Sequence, residues 1–409
     1  MSRPSGVIPR QTLRAFVDAG HVFSPLGIPA QNVQPASVDL TLGSIAYRLR
    51  CSFLPGNQRV RDKLRDYEMG ELDLENGAVL EQNRPYLIPL NERLKLPSGV
   101  RGRANPRSST GRIDVFTRLV TDFGQHFDEV KDGYVGELYL EVVPRSFTIK
   151  VRTGLTLNQL RLVYGSARLT DAELIELGTR EPIIYPGASG FANERAVVAD
   201  GLFLSVDLSG EGRSFAGYKA RKSSALLDLQ RTNAYDVSDF FERVEPRDGR
   251  LILDQEDFYL LVSRERVRIP PEYAAEMAAY DPTSGELRTH YAGFFDPGFG
   301  DVPADPLERP GTPAVLEVRA HDVPFALEHG QRLCKLTFER MAERPDESYG
   351  LAIGSRYQRQ YLTLGRQFRP ERVRASAQRQ KTAEQHPLPL ESWGGEEFDL
   401  PPLQVAPRE

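Results

Sequence analysis

The chain has 409 residues, 52 Lys and Arg against 57 Asp and Glu, and a formal net charge of -5. That length exceeds one ordinary hydrophobic core and predicts two domains. The mild negative balance excludes a global attraction to nucleic acid or to anionic membranes, so any anion site must be local. Residues 7–20 place Leu13, Phe16 and Val17 at helical spacing between Pro9 and Gly20, predicting a short amphipathic helix. Ala36-Ser37-Val38-Asp39-Leu40-Thr41-Leu42-Gly43 alternates as a strand, the segment from Tyr86 to Pro97 leads towards Arg107, and residues 136–141 form a further strand. Phe147-Thr148-Ile149-Lys150-Val151 alternates as a half-buried strand.

The order then recurs. Thr170-Asp171-Ala172-Glu173 is a capping box opening a second helix, and Val206-Asp207-Leu208 repeats Val38-Asp39-Leu40. The run ending at Pro270 parallels the one ending at Pro97, with Glu-Arg-x-x-x-Pro in both, and Val315-Leu316-Glu317-Val318 parallels Tyr139-Leu140-Glu141-Val142. These anchors predict an internal duplication: residues 1–165, residues 166–365, and a polar, Pro-rich extension over 366–409 carrying Trp393. With 34 Gly and 30 Pro, each half is expected to be a helix followed by short strands closing into a barrel or jelly roll.

No apolar run reaches membrane-spanning length, and residues 1–9 lack the apolar core and cleavage pattern of a leader, which predicts a cytoplasmic protein. Cys51 and Cys334 are too few for a disulfide framework or a Cys-x-x-Cys zinc site. The zinc-dependent nucleobase deaminases need such a pair together with His-x-Glu.

Three stretches carry chemistry. Arg107-Ser108-Ser109-Thr110-Gly111-Arg112 sets two hydroxyls between two guanidiniums, which suits a phosphate cradle or, more plainly, a polar surface turn. His290 to Gly300 reads as a tight aromatic hairpin about Asp296-Pro297-Gly298, able to meet the edge and face of a planar base or to be an ordinary turn. Glu317 stands in an apolar strand, where a carboxylate either points to solvent or serves a site; alternation alone favours solvent. Downstream, Tyr349, Arg356, Tyr357 and Gln360 make a cationic, aromatic segment suited to a flap over a nucleotide, or a surface charge cluster.

Together these residues resemble the dCTP deaminases of the dUTPase superfamily, over nearly the whole of both halves. The resemblance implies a mainly β fold of two dUTPase-like distorted jelly-roll barrels in tandem, each with a short N-terminal helix. It implies hydrolysis of dCTP to dUTP and ammonia, with Mg²⁺ carried on the triphosphate and no zinc. The match is divided between the halves. The first keeps Arg107, Ser108, Ser109 and Arg112, but has Thr121 and Lys131 where the family has Ala and Asp. The second keeps Ala292, Asp296, Glu317, Tyr349 and Gln360, with Arg356 for the family's Lys, while its cradle is reduced to Ala279-Tyr280-Asp281-Pro282-Thr283.

In the family's trimers one subunit lends the cradle and its neighbour the hairpin and glutamate. The complementary losses imply that the two halves play these parts within one chain. Glu317 is then the base, with Glu141 the second choice. The Ala292 carbonyl, Ser108 and Arg112 hold the attacking water and stabilise charge. Arg107, Ser109, Arg356 and Gln360 grip the triphosphate, Ser108 and Arg112 also count among the nucleotide-binding residues, Asp296 lies near the 3′-hydroxyl, and Tyr349 closes over the ligand. A three-membered ring cannot alternate two kinds of barrel, so a monomer or dimer with an internally completed site is expected. No nucleic acid or membrane partner is implied. A dUTPase, a bifunctional enzyme and a non-catalytic dNTP-binding regulator are the competing readings.

Overall fold

The computed structural model describes residues 5–187, 195–210, 213–279, 287–290, 293–301, 309–321, 323–350, 357–358, 360–370 and 387–392. Ala292, Arg356 and Trp393, and most of the residues matching the cradle in the second half, lie outside them.

Helix Arg10–Asp18 buries Leu13 and Phe16, and the chain leaves it through Gly20 in the left-handed conformation (φ +71). Helix Asp171–Arg180 opens with the full capping box: the Thr170 hydroxyl accepts from the Glu173 amide and the Glu173 carboxylate accepts from the Thr170 amide. After each of these helices the regular structure of the described residues is mostly strand. In the first half one sheet pairs Thr156–Tyr164 with Val100–Pro106 and Val38–Thr41, and a second pairs Val135–Pro144 with Tyr86–Lys95 and Val115–Thr121. The second half repeats both. Arg332–Arg340 pairs with Tyr273–Ala279 and Leu202–Ser205, and Thr312–Ala320 pairs with Phe258–Val267 and Leu287–His290.

The ladders correct one anchor of the repeat. Glu92 accepts from the Thr41 amide (2.8 Å) and hydroxyl (2.7 Å), and Glu265 clasps the Ser205 amide (2.8 Å) and hydroxyl (2.5 Å) in the same way. Thr41 is therefore equivalent to Ser205, and Val38-Asp39-Leu40 corresponds to Leu202-Phe203-Leu204, not to Val206-Asp207-Leu208. Short alternating strands match each other in several registers, and here the buried glutamate fixes the true one. Asp39 consequently has no acidic twin in the second half.

A second correction concerns the hairpin. Leu287–His290 pairs with Thr312–Ala320, whereas Phe294–Phe295 pairs with Tyr273–Ala279 in the other sheet. The segment crosses between sheets and is not a two-stranded hairpin. The turn itself is present: the Phe299 amide donates to the Asp296 carbonyl at 3.0 Å, with Gly298 at φ +92.

The halves are tied by apolar packing and by buried charge. Phe147 meets Phe240 and Phe241 edge to face at 5.4 and 5.3 Å, and both of these contact Phe368. Leu362, Leu364 and Phe368 lie in the apolar cluster that also holds Leu13 and Ile149, so residues 360–370 seal the joint between the halves. Arg103 and Glu276, at equivalent positions counted from Pro97 and Pro270, pair across the interface at 2.9 Å. Arg319 of the second half pairs with the fully buried Asp114 of the first. Of the extension, Leu390–Ser392 adds as a parallel strand to Ala196–Val198. No helix among the described residues is long and apolar enough to cross a membrane.

Candidate active site

A cavity of about 600 Å³ opens at the junction of the halves, lined by Arg107, Ser108, Ser109 and Arg112 from one and Asp296, Glu317, Tyr349 and Gln360 from the other. Its first wall is a single helical turn, Ser108–Gly111, entered from strand Val100–Pro106. Pro106 ends the strand, and the turn leaves the two serines half-exposed to the cavity while Thr110 and Gly111 are buried.

Glu317 forms the opposite wall. It sits mid-strand between Leu260 and His290 in the ladders and is 7% exposed, so the solvent-facing orientation suggested by alternation does not hold. The strand is interior to its sheet and faces the first half on its other side, which buries both of its faces. Glu317 Oε2 is buried without a hydrogen-bond partner. Burial drives its pKa well above the usual carboxylate value of 4.5; the Arg112 charge opposes this and the Asp114 charge adds to it. The contact between halves is close. A Cβ on Gly293 would lie 3.9 Å from Ser108 Oγ, and Arg112 donates to the Thr363 carbonyl and stacks 3.8 Å from the Tyr357 ring centre.

The Arg107 side of the cavity is more crowded than the sequence suggests. Arg107 donates to the Thr156 hydroxyl and pairs with Asp39 at 3.1 Å. Asp39 is 2% exposed, its Oδ1 has no hydrogen-bond partner, and burial with the neighbouring Asp296 charge pushes its pKa up to about 6 despite Arg107. Asp296 is also held up by burial, against Arg161 and Arg107. Tyr349 packs on Phe299 with ring centres 5.7 Å apart, and its hydroxyl accepts from the Tyr357 amide at 3.3 Å. Gln360 donates to the Pro313 carbonyl at 3.4 Å, leaving its buried Oε1 without a partner.

Glu141 is placed elsewhere. It is 1% exposed and paired with Arg118, whose Nε donates to it at 3.0 Å, and it does not line the cavity. Lys131, opposite in charge to its counterpart Asp296, donates to the Phe123 carbonyl at 2.7 Å. The first half thus keeps the strand glutamate but closes it off with an arginine.

Asp39, Thr156, Gln159 and Arg161 were not singled out by sequence. The available signal was a charged or amide side chain inside an otherwise apolar strand, as in Val38-Asp39-Leu40 and Leu160-Arg161-Leu162.

Residues 4–166 match the family model "2'-deoxycytidine 5'-triphosphate deaminase (DCD) N-terminal domain", and residues 170–368 match the corresponding C-terminal domain. The chain belongs to the dCTP deaminase family. A crystal structure of 2'-deoxycytidine 5'-triphosphate deaminase from Agrobacterium tumefaciens is 45% identical, covering 84% of this chain and 100% of that one with a TM-score of 0.77. The dCTP deaminase of Natronomonas pharaonis is 30% identical over 160 residues, which is 38% of this chain and 74% of that protein. A dUMP-forming dCTP deaminase of Coprothermobacter proteolyticus is 31% identical over 127 residues, 30% of this chain and 61% of that protein. Among the described residues no group of three or more His, Cys, Asp or Glu is arranged to hold a metal ion.

Proposed function

We propose that the protein is a hydrolytic deaminase converting dCTP to dUTP and ammonia at one site per chain, completed by its own two halves. The observation that carries this reading is the buried, unpaired carboxylate of Glu317 facing the Ser108–Gly111 turn and Arg112 across one cavity.

Glu317 takes a proton from water as the oxygen bonds to C4 of cytosine, and hands that proton to N3 as the C4–N3 double bond opens. It then takes the proton of the new hydroxyl and delivers it to the amino group, so that C4=O forms and ammonia leaves. A carboxylate moves protons in both directions best when its pKa is raised towards the working pH, which burial does here. Arg112 and Ser108 stabilise the oxygen that gains charge at C4, and the Ala292 carbonyl, by family resemblance, orients the water. Arg107, Ser109, Arg356 and Gln360 bind the triphosphate, Asp296 the 3′-hydroxyl, and Tyr349 covers the ligand. Mg²⁺ would enter on the triphosphate and neutralise part of its charge; Asp39, with one unpaired buried oxygen, fits a water of that cation. A cytoplasmic protein, monomeric or dimeric, completes the reading.

A second reading is favoured by one observation. Asp296 lies in the same cavity with Oδ1 lacking a hydrogen bond, so it could activate water against the α-phosphate and make the enzyme dUMP-forming. Incubation with dCTP and, separately, dUTP, with assays for ammonia and pyrophosphate, decides. Ammonia from dCTP alone supports the deaminase; pyrophosphate from either nucleotide supports the bifunctional form. Saturable dCTP binding with neither product would overturn both.

A further inference from the structure

We propose that Arg161 is a positioning residue through which the first half fixes the Phe294–Asp296 segment of the second, and so sets how tightly the sugar end of the nucleotide is held. The proposal rests on the assignment of the cavity to dCTP and of Asp296 to the 3′-hydroxyl.

Arg161 lies between Leu160 and Leu162 on a first-half strand and its side chain is 0% exposed. A guanidinium removed from water is costly unless its donors are met. Among the described residues, the polar and ring contacts of its side chain all belong to the second half. Nη1 donates to the Ala275 carbonyl at 3.1 Å and to Glu339 Oε2 at 3.0 Å, and Nη2 donates to the Phe295 carbonyl at 3.4 Å and lies 3.5 Å from Asp296 Oδ1. The Phe294 ring covers its face at 4.0 Å. Three consecutive residues are thus held by three different means: ring, carbonyl and carboxylate. All three line the nucleotide cavity.

The reverse arrangement is not built. The ladders place Thr337 at the position equivalent to Arg161, since Arg161 lies opposite Arg103 and Thr337 opposite Glu276. Among the described residues, the Thr337 hydroxyl's hydrogen bond is its donation to the Glu276 carbonyl at 3.2 Å, within its own half. In the first half the counterpart of Asp296 is Lys131, turned towards Phe123. The arginine occurs in the half that faces the intact segment, as expected of a part that serves the site. Lysine would keep the charge, but its compact ammonium cannot stack on Phe294 and fork to separate acceptors together.

The test compares dissociation constants for dCTP and 2′,3′-dideoxy-CTP, which lacks the hydroxyl assigned to Asp296, by calorimetry with Mg²⁺. All variants carry Glu317→Gln so that nucleotide is not consumed, which separates this result from whether the wild type releases ammonia. Arg161→Lys is expected to weaken dCTP binding about tenfold, leave the dideoxy analogue nearly unchanged, and have no further effect once Asp296→Asn is present. Glu339→Gln, which removes the other anchor, is expected to lower Tm and leave the preference intact. Arg161→Gln serves in place of lysine if that variant does not fold. A purely structural role would lower Tm and weaken both nucleotides equally. That result, or an equal loss in the Asp296→Asn background, would overturn the proposal.

Discussion

A Cβ added to Gly111 would run into both carboxylate oxygens of Glu317. The first residue closes the helical turn of one half and the second is the buried carboxylate of the other, so a missing side chain in one half makes room for the acid of its partner. Gly111→Ala must push the carboxylate aside. Since misplacing a reacting group by about 1 Å can cost about 100-fold in rate, kcat for ammonia release is expected to fall by that order. Far-ultraviolet circular dichroism should stay unchanged, because alanine suits a helical turn.

The charges around Glu317 predict opposite movements of the pH profile. In the proposed role of base it works ionised, so the rate is expected to rise with pH through its pKa, which burial places above 4.5. Asp114 raises that pKa and Arg112 lowers it. The acid limb of kcat/KM is therefore expected to move to lower pH in Asp114→Asn and to higher pH in Arg112→Met. Both profiles are measured from initial ammonia release, and limbs moving in the same direction would contradict the assignment.

The same carboxylate should cost stability. Its pKa is raised in the folded state, so the native protein binds this proton more tightly than the unfolded chain does. That advantage is complete below the unfolded value near 4.5 and is lost as pH rises through the folded pKa. Glu317→Gln removes the penalty of burying the ionised form. Its Tm is expected to exceed that of wild type at pH 8 and to match it at pH 5, as read by calorimetric scans.

Glu141 predicts the reverse behaviour. It is closed off by Arg118 and lies away from the cavity, so Glu141→Gln should leave kcat and KM within about twofold of wild type. Weakening a charge-assisted buried contact should cost roughly 1–3 kcal/mol in denaturant unfolding. A loss of turnover at full stability would move the base to the first half.

How much of this was legible follows from how local each signal is. The cradle stood out because Arg107 to Arg112 is one contiguous turn, and the capping box because Thr170 and Glu173 act on their own helix. Alternation alone favours solvent for Glu317 because it describes one strand, whereas the second face is covered by the other half, far away in sequence. The false match of Asp207 to Asp39 has a similar cause: register is set by Glu92 and Glu265, which lie on different strands. Arg161 and Asp39 could be noticed only as charges in apolar strands. What they touch depends on the docking of two halves that no local pattern records.

The most direct measurement is ammonia release from saturating dCTP and Mg²⁺ by Glu317→Gln, with nucleotide binding followed in the same preparation. A general acid–base group contributes about 10²–10⁴-fold, so turnover is expected to fall at least 100-fold while dCTP still binds. Turnover within tenfold of wild type would contradict the account.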